Sequence, residues 1–70
     1  MLKLFTTPTC GQCPIVKSTL EINEIPYEEI DASANPHVAA EYGVQGAPAI
    51  VVNDEEKHVG TGACLAYLNS

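Results

Sequence analysis

A proline at position 14 restricts where the first helix of this 70-residue chain can begin. Proline has no amide hydrogen, and in regular helical geometry its ring would collide with the carbonyl of Cys10, so Cys10 stays outside the helix. A first helical turn tolerates proline well. The cap is therefore placed near Gly11, and the helix runs from Gln12 to about Asn23. Within it Ile15, Val16, Thr19, Leu20 and Ile22 recur at helical spacing against Lys17, Ser18 and Glu21, which predicts an amphipathic helix with one buried face. The same placement leaves Cys10 on the loop side, facing solvent, and folds Cys13 back toward the helix body.

Cys10-Gly11-Gln12-Cys13 thus sits where a helix begins. Two thiols at this spacing can close into a disulfide and reopen. The positive end of the helix favours a thiolate, which predicts that Cys10 attacks as nucleophile and Cys13 resolves. A bridge between them closes so short a loop that it removes little entropy from the unfolded chain, so the spacing suits chemistry better than scaffolding. An alternative is half of a structural zinc site, which needs about four ligands. Cys64 with His37 or His58 would have to complete it, and no second closely spaced ligand pair exists. Cys64 itself reads as a small hydrophobe of the core.

The formal charge of −6, with only Lys3, Lys17 and Lys57 as cations, argues against nucleic acid and anionic membranes as partners. Most acidic residues lie between Glu21 and Asp31 and between Asp54 and Glu56, a pattern of solvated helix ends and turns. An odd cysteine count fits poorly with a fully paired secreted framework, and no apolar run reaches signal-peptide or membrane length. The expectation is a soluble, cytoplasmic, monomeric protein with one domain over residues 1–70 and no metal. Single histidines at 37 and 58 are weak catalytic candidates. Tyr27, Tyr42 and Tyr67 read as packing residues with wet hydroxyls, and Lys17, one turn beyond Cys13, as a solvated surface residue, the alternative being a cation that slightly lowers the thiol pKa.

Leu2–Thr6 alternates as a strand, with Leu2 and Leu4 on one face and Phe5 on the other. Ile25-Pro26 ends the first helix, and Tyr27–Asp31 forms a second strand near an edge. Asn35 is expected to cap a short helix opened by Pro36, whose Val38, Ala39 and Tyr42 share a face before Gly43 stops it. Ala49–Val52 reads as a strand buried on both faces, Asn53–Glu56 as a turn, and Lys57–Val59 as an edge strand. Gly60 to Gly62 breaks the chain before a helix from Ala63 to Leu68 that uses Leu65 and Leu68. A right-handed crossover makes the first two strands parallel and a tight turn makes the last two antiparallel. The result is an α/β fold of order βαβαββα with helices on both faces.

Phe5-Thr6-Thr7-Pro8-Thr9-Cys10-Gly11-Gln12-Cys13-Pro14 is similar to the active-site segment of short, glutaredoxin-sized thioredoxins. Ile30-Asp31, Asn35-Pro36, Tyr42-Gly43-Val44-Gln45-Gly46-Ala47-Pro48-Ala49 and Val59-Gly60 resemble the second half of thioredoxins in order and spacing. The chain therefore resembles a thioredoxin-fold redoxin over nearly its whole length. That implies a mixed sheet of strand order 2-1-3-4, a cis bond between Ala47 and Pro48, and a proline ledge against the dithiol. Ala47 would offer a free backbone edge to an extended peptide, with Gly11, Gln12 and Pro48 also touching substrate. Gly46 and Gly62 would leave a shallow groove beside Cys10.

The resemblance implies a thiol-disulfide oxidoreductase acting on protein disulfides, with the Cys10/Cys13 pair as its redox centre and no other cofactor. Long thioredoxins have a tryptophan before the first cysteine and a buried acid in the preceding strand, where this chain has Thr9 and Leu4. Bound water is then the expected proton acceptor for Cys13. Glutathione-using glutaredoxins carry a basic residue and an Asp pair where this chain has Thr7 and Ala63-Cys64. Charge-assisted contacts to glutathione would be absent, which favours a thioredoxin reductase as the electron donor and leaves a glutathione-dependent glutaredoxin as the alternative. Gln12 is shared with the small redoxins that serve ribonucleotide reductase, a possible client.

Overall fold

Alternation in the first strand, β1 (Leu2–Thr6), divides the core in two, because successive side chains leave opposite faces. In the computed structural model, which describes residues 2–44 and 46–69, Leu2 and Leu4 join Val16, Leu20, Ile50 and Cys64 on one side of the sheet. Phe5 joins Ala39, Val44, Ala49 and Val51 on the other. Two helices, α1 (Cys13–Ile22) and α3 (Thr61–Leu68), cover the first face, and α2 (Pro36–Glu41) covers the second.

The remaining strands are β2 (Tyr27–Asp31), β3 (Ala49–Val52) and β4 (Glu56–Val59), and the sheet order is β2-β1-β3-β4. β1 runs parallel to β2 and antiparallel to β3, and β3 runs antiparallel to β4. This is the mixed four-stranded sheet that the pattern of apolar runs and the resemblance imply. β3 is the apolar run buried on both faces, and the acidic β2 lies at an edge.

Several local expectations are corrected. Helix α1 starts at Cys13 with Gln12 as its cap, one residue later than expected, so Pro14 occupies the second helical position. Its buried stripe is Cys13, Val16 and Leu20, and Ile15 and Ile22 are 47% and 80% exposed. A single seam at i, i+3 and i+7 points at the sheet, and those two isoleucines fall outside it. Asn35 stands at the cap of α2 but makes no side-chain cap bond. Its amide donates backward to the Asp31 carbonyl at 3.0 Å.

Helix α3 begins at Thr61, two residues before the expected Ala63, because Gly60 alone reverses the chain. Gly60 has φ +100°, which a side chain tolerates poorly. Gly62 is therefore free to sit inside the helix. Gly43, at φ +69°, takes a conformation that a side chain tolerates poorly, and the Lys57 ammonium lies beside its α carbon. That ammonium donates to the Tyr42 carbonyl at 3.2 Å and so caps the end of α2. Asn53 and Asp54, at φ 52° and 63°, make the hairpin turn, and the Asp54 carboxylate accepts from Lys3 at 3.1 Å and Tyr42 at 2.8 Å. Those two donors hold the Asp54 carboxyl below the usual carboxylate range.

Among the described residues no helix is long and apolar enough to cross a membrane. Cys64 is fully buried, and its thiol donates to the His58 carbonyl at 3.3 Å and the Pro48 carbonyl at 3.7 Å. His58 stacks on Tyr67 with ring centroids 4.5 Å apart.

Two stability measurements check this packing. Leu20→Ala should cost about 2–5 kcal/mol in denaturant unfolding, whereas Ile22→Ala should stay within about 0.5 kcal/mol; equal losses would contradict the seam. Burial raises the Cys64 pKa, so the folded state holds the thiol proton more tightly than the unfolded state. The stability this contributes is present below the ordinary thiol pKa and is lost as pH rises through the raised folded value. Unfolding midpoints of the wild type should therefore fall more steeply at alkaline pH than those of Cys64→Ala, and parallel curves would contradict the assignment.

Candidate active site

The end of β1 and the start of α1 are joined by a tight loop in which the Cys10 amide donates to the Thr7 carbonyl at 3.2 Å. Pro14, at the second helical position, brings no amide hydrogen, and no side chain caps the first turn of α1. The Cys13 amide, at the first position, donates instead to the Cys10 sulfur at 3.1 Å. No acidic residue in that turn offsets the positive helix end. A thiolate at Cys10 would gain from both.

Cys10 and Cys13 are joined as a disulfide, with their Cα atoms 5.5 Å apart. Cys10 is half-buried, less open than the loop reading expects, and Cys13 is 5% exposed against the core. Gly11 and Gln12 between them are exposed, and the Gln12 carbonyl accepts from the Ile15 amide at 3.1 Å.

The second part of the site comes from β3. The Ala47–Pro48 bond is cis, Pro48 is buried and Ala47 is half-buried. Phe5 pairs with Ala49, so one further step of the same antiparallel register sets Pro48 abreast of Thr6, at the end of the sheet from which the dithiol loop leaves. The Pro48 carbonyl accepts the Gly60 amide at 2.8 Å and so closes the ledge onto the end of β4. Gln45, part of the expected loop, lies outside the described residues.

An open depression of about 520 Å³ flanks the dithiol, lined by Cys10, Cys13, Pro14, Lys17, Glu29 and Asp31 among others. The groove expected between Gly46 and Gly62 is not this one. Gly46 lines a smaller hollow of about 260 Å³ with Thr7 and Ser33. Gly62 lies in the first turn of α3 and lines neither.

Three residues of the larger depression are not among the site residues expected from the sequence. Lys17 pairs with Glu29 at 3.0 Å, and the buried Thr6 hydroxyl donates to the other Glu29 oxygen at 3.3 Å. Lys17 had a sequence signal, one turn after Cys13 on the same helical face. Glu29 had none, since only the pairing of Leu4 with Glu29 brings it there. Asp31 is engaged by the Ser33 hydroxyl at 2.6 Å and by the Ser33 and Ala34 amides, which hold its carboxyl below the usual range. Among the described residues no group of three or more His, Cys, Asp or Glu side chains is arranged to hold a metal.

Comparison with known proteins places this arrangement in a family. The glutaredoxin family model matches residues 2–59. A thioredoxin of Methanocaldococcus jannaschii is 38% identical over 65 residues, covering 84% of this chain and 76% of that protein. A probable thioredoxin of Archaeoglobus fulgidus is 36% identical over 63 residues, covering 79% and 67% respectively. In three dimensions, the crystal structure of the thioredoxin-like protein BC3987 superimposes with a TM-score of 0.76 at 32% identity, covering 97% of this chain and 99% of that one. A Cys-x-x-Cys pair at disulfide distance on a thioredoxin fold is the family's thiol-disulfide centre, and the chain belongs to the glutaredoxin family as a small thioredoxin-fold redoxin.

Proposed function

We propose that this redoxin is a reductase of protein disulfides, with Cys10 as the attacking thiolate and Cys13 as the resolving thiol. The observation that carries the reading is the Cys13 amide aimed at the Cys10 sulfur at 3.1 Å, at a helix start free of acidic residues. It favours the anion on Cys10, the more exposed of the two cysteines. Attack on a client disulfide gives a mixed disulfide and releases one client thiolate. The Cys13 thiolate then displaces the second client sulfur, leaving the client reduced and the Cys10–Cys13 bridge formed. No group beyond the two sulfurs is required.

Gly11, Gln12, Ala47 and Pro48 form the docking edge in this reading. Proline cannot donate a ladder hydrogen bond, so the backbone before it can take an extended client segment. Clients are proteins, ribonucleotide reductase among the candidates, and the compartment is a reducing one such as the cytoplasm. A thioredoxin reductase is the favoured electron source. Cys64 stands where glutaredoxins keep an acid for glutathione, and its thiol is turned inward to the Pro48 and His58 carbonyls. Thr7 offers no charge for the tripeptide's carboxylates.

In an insulin-reduction assay driven by dithiothreitol, the wild type should act well above background, Cys10→Ser should fall to background, and Cys13→Ser should accumulate a mixed disulfide visible by mass spectrometry. Full activity of Cys10→Ser would overturn the assignment. Turnover with NADPH and a thioredoxin reductase should exceed turnover with glutathione and glutathione reductase by about tenfold or more, the scale of one lost charge-assisted contact. The reverse order would make the chain a glutathione-dependent glutaredoxin.

A further inference from the structure

The geometry points to the Lys17–Glu29 ion pair as the electrostatic control of the resolving step: the Lys17 ammonium, held by the Glu29 carboxylate beside the depression that Cys13 also lines, stabilises the Cys13 thiolate, and Glu29 limits how much. This rests on the reading of Cys13 as the resolving thiol. Lys17 and Cys13 are four residues apart on α1, hence on one helical face, and both line the depression beside the dithiol. Glu29 reaches the same depression from β2, because it pairs with Leu4 across the sheet. The buried Thr6 hydroxyl fixes one of its oxygens at 3.3 Å while the other holds Lys17 at 3.0 Å. Lys17 is thereby tethered at the rim, where it would otherwise be a free surface chain.

Division of labour between the sulfurs follows. The Cys10 anion has the Cys13 amide and the helix end. The Cys13 amide is directed away from its own sulfur, and Cys13 is nearly buried, which by itself disfavours a thiolate. A cation on the same face offsets that cost. Other charged or titratable groups about Lys17 are Glu21 on its own helix and Tyr27 and Glu29 on β2. Those about Cys13 in the depression are Cys10, Glu29 and Asp31. Burial raises the Tyr27 pKa and keeps the phenol neutral, and Asp31 is committed to Ser33 and Ala34. Lys17 is therefore the cation of this depression, and its hydrogen bond to Glu29 raises its pKa above the ordinary lysine value.

In the resolving step, the Cys13 thiol gives its proton to solvent, and the thiolate attacks the Cys10 sulfur of the mixed disulfide. The Cys10–client bond breaks, the client sulfur leaves with the electron pair and takes a proton from water, and the Cys10–Cys13 bond forms. Lys17 acts through the thiolate alone and exchanges no proton.

Rapid mixing of the reduced protein with a neutral dipyridyl disulfide tests this, because Cys10 attack releases the first thiopyridone and Cys13 resolution the second. Near neutral pH, Lys17→Met should slow the second release and Glu29→Gln should speed it, each by roughly two- to fivefold, the scale of an exposed ion pair. Both differences should shrink in high salt and vanish at alkaline pH, where the Cys13 thiol is already ionised. Changes of the same sign in the two variants, no change, or a change equal at all pH values would overturn the assignment, since a merely structural pair predicts no opposition of sign. With a normal first release, such a result rejects the ion-pair role alone. Absence of the first release in all three proteins rejects Cys10 as attacker, and this inference with it.

Discussion

Double-sided pairing of β1 is the constraint on which the rest of the structure depends. With β2 on one edge and β3 on the other, and with Leu4 and Phe5 fully buried on opposite faces, the strand is fixed in position, register and rotation. Everything chemical is attached to its end. The dithiol loop leaves from Thr6, Pro48 lies abreast of that residue, and Glu29 reaches the same end through the pairing of Leu4. A slip of one residue in either pairing would invert the faces and separate the sulfurs from the groups that serve them.

The element order could be read from the chain because each signal there is local, whereas the strand order 2-1-3-4 was implied by the resemblance to thioredoxins. Alternation in residues 2–6, the apolar run of residues 49–52 and the Asn35-Pro36 and Gly43 punctuation each name an element without help from the others. The dithiol was legible for a similar reason, since Pro14 excludes Cys10 from the helix by sterics alone. Errors came where tertiary packing chooses among local options. Ile15 and Ile22 satisfy a helical period, but only one stripe of α1 meets the sheet. Gly60 and Gly62 both read as breakers, and only the positive φ at Gly60 decides which one reverses the chain.

Lys17 and Glu29 illustrate the opposite limit. No spacing in the sequence links them, because α1 is the crossover that leads into β2 and where it lies over that strand depends on core packing. Their ion pair is partly solvated, with side chains 44% and 42% exposed, and its interest lies in the sulfur it adjoins. Glu29 lies on the strand next to Leu4, the position at which long thioredoxins bury an acid. Here the carboxylate is at the rim, accessible to water, and it works through a cation.

The two outer strands carry a further consequence. β2, an outer strand of the sheet, carries Glu28, Glu29 and Asp31, and among the described residues only Glu29 of these is paired with a cation, so two copies approaching there edge to edge would bring like charge together. A sheet with unpaired rims invites polymerisation into a continuous ribbon, and clustered like charge opposes it. In the proposed reading a backbone ledge at Pro48 stays open to foreign chains, while like charge on β2 opposes pairing between copies at the sheet's outer border.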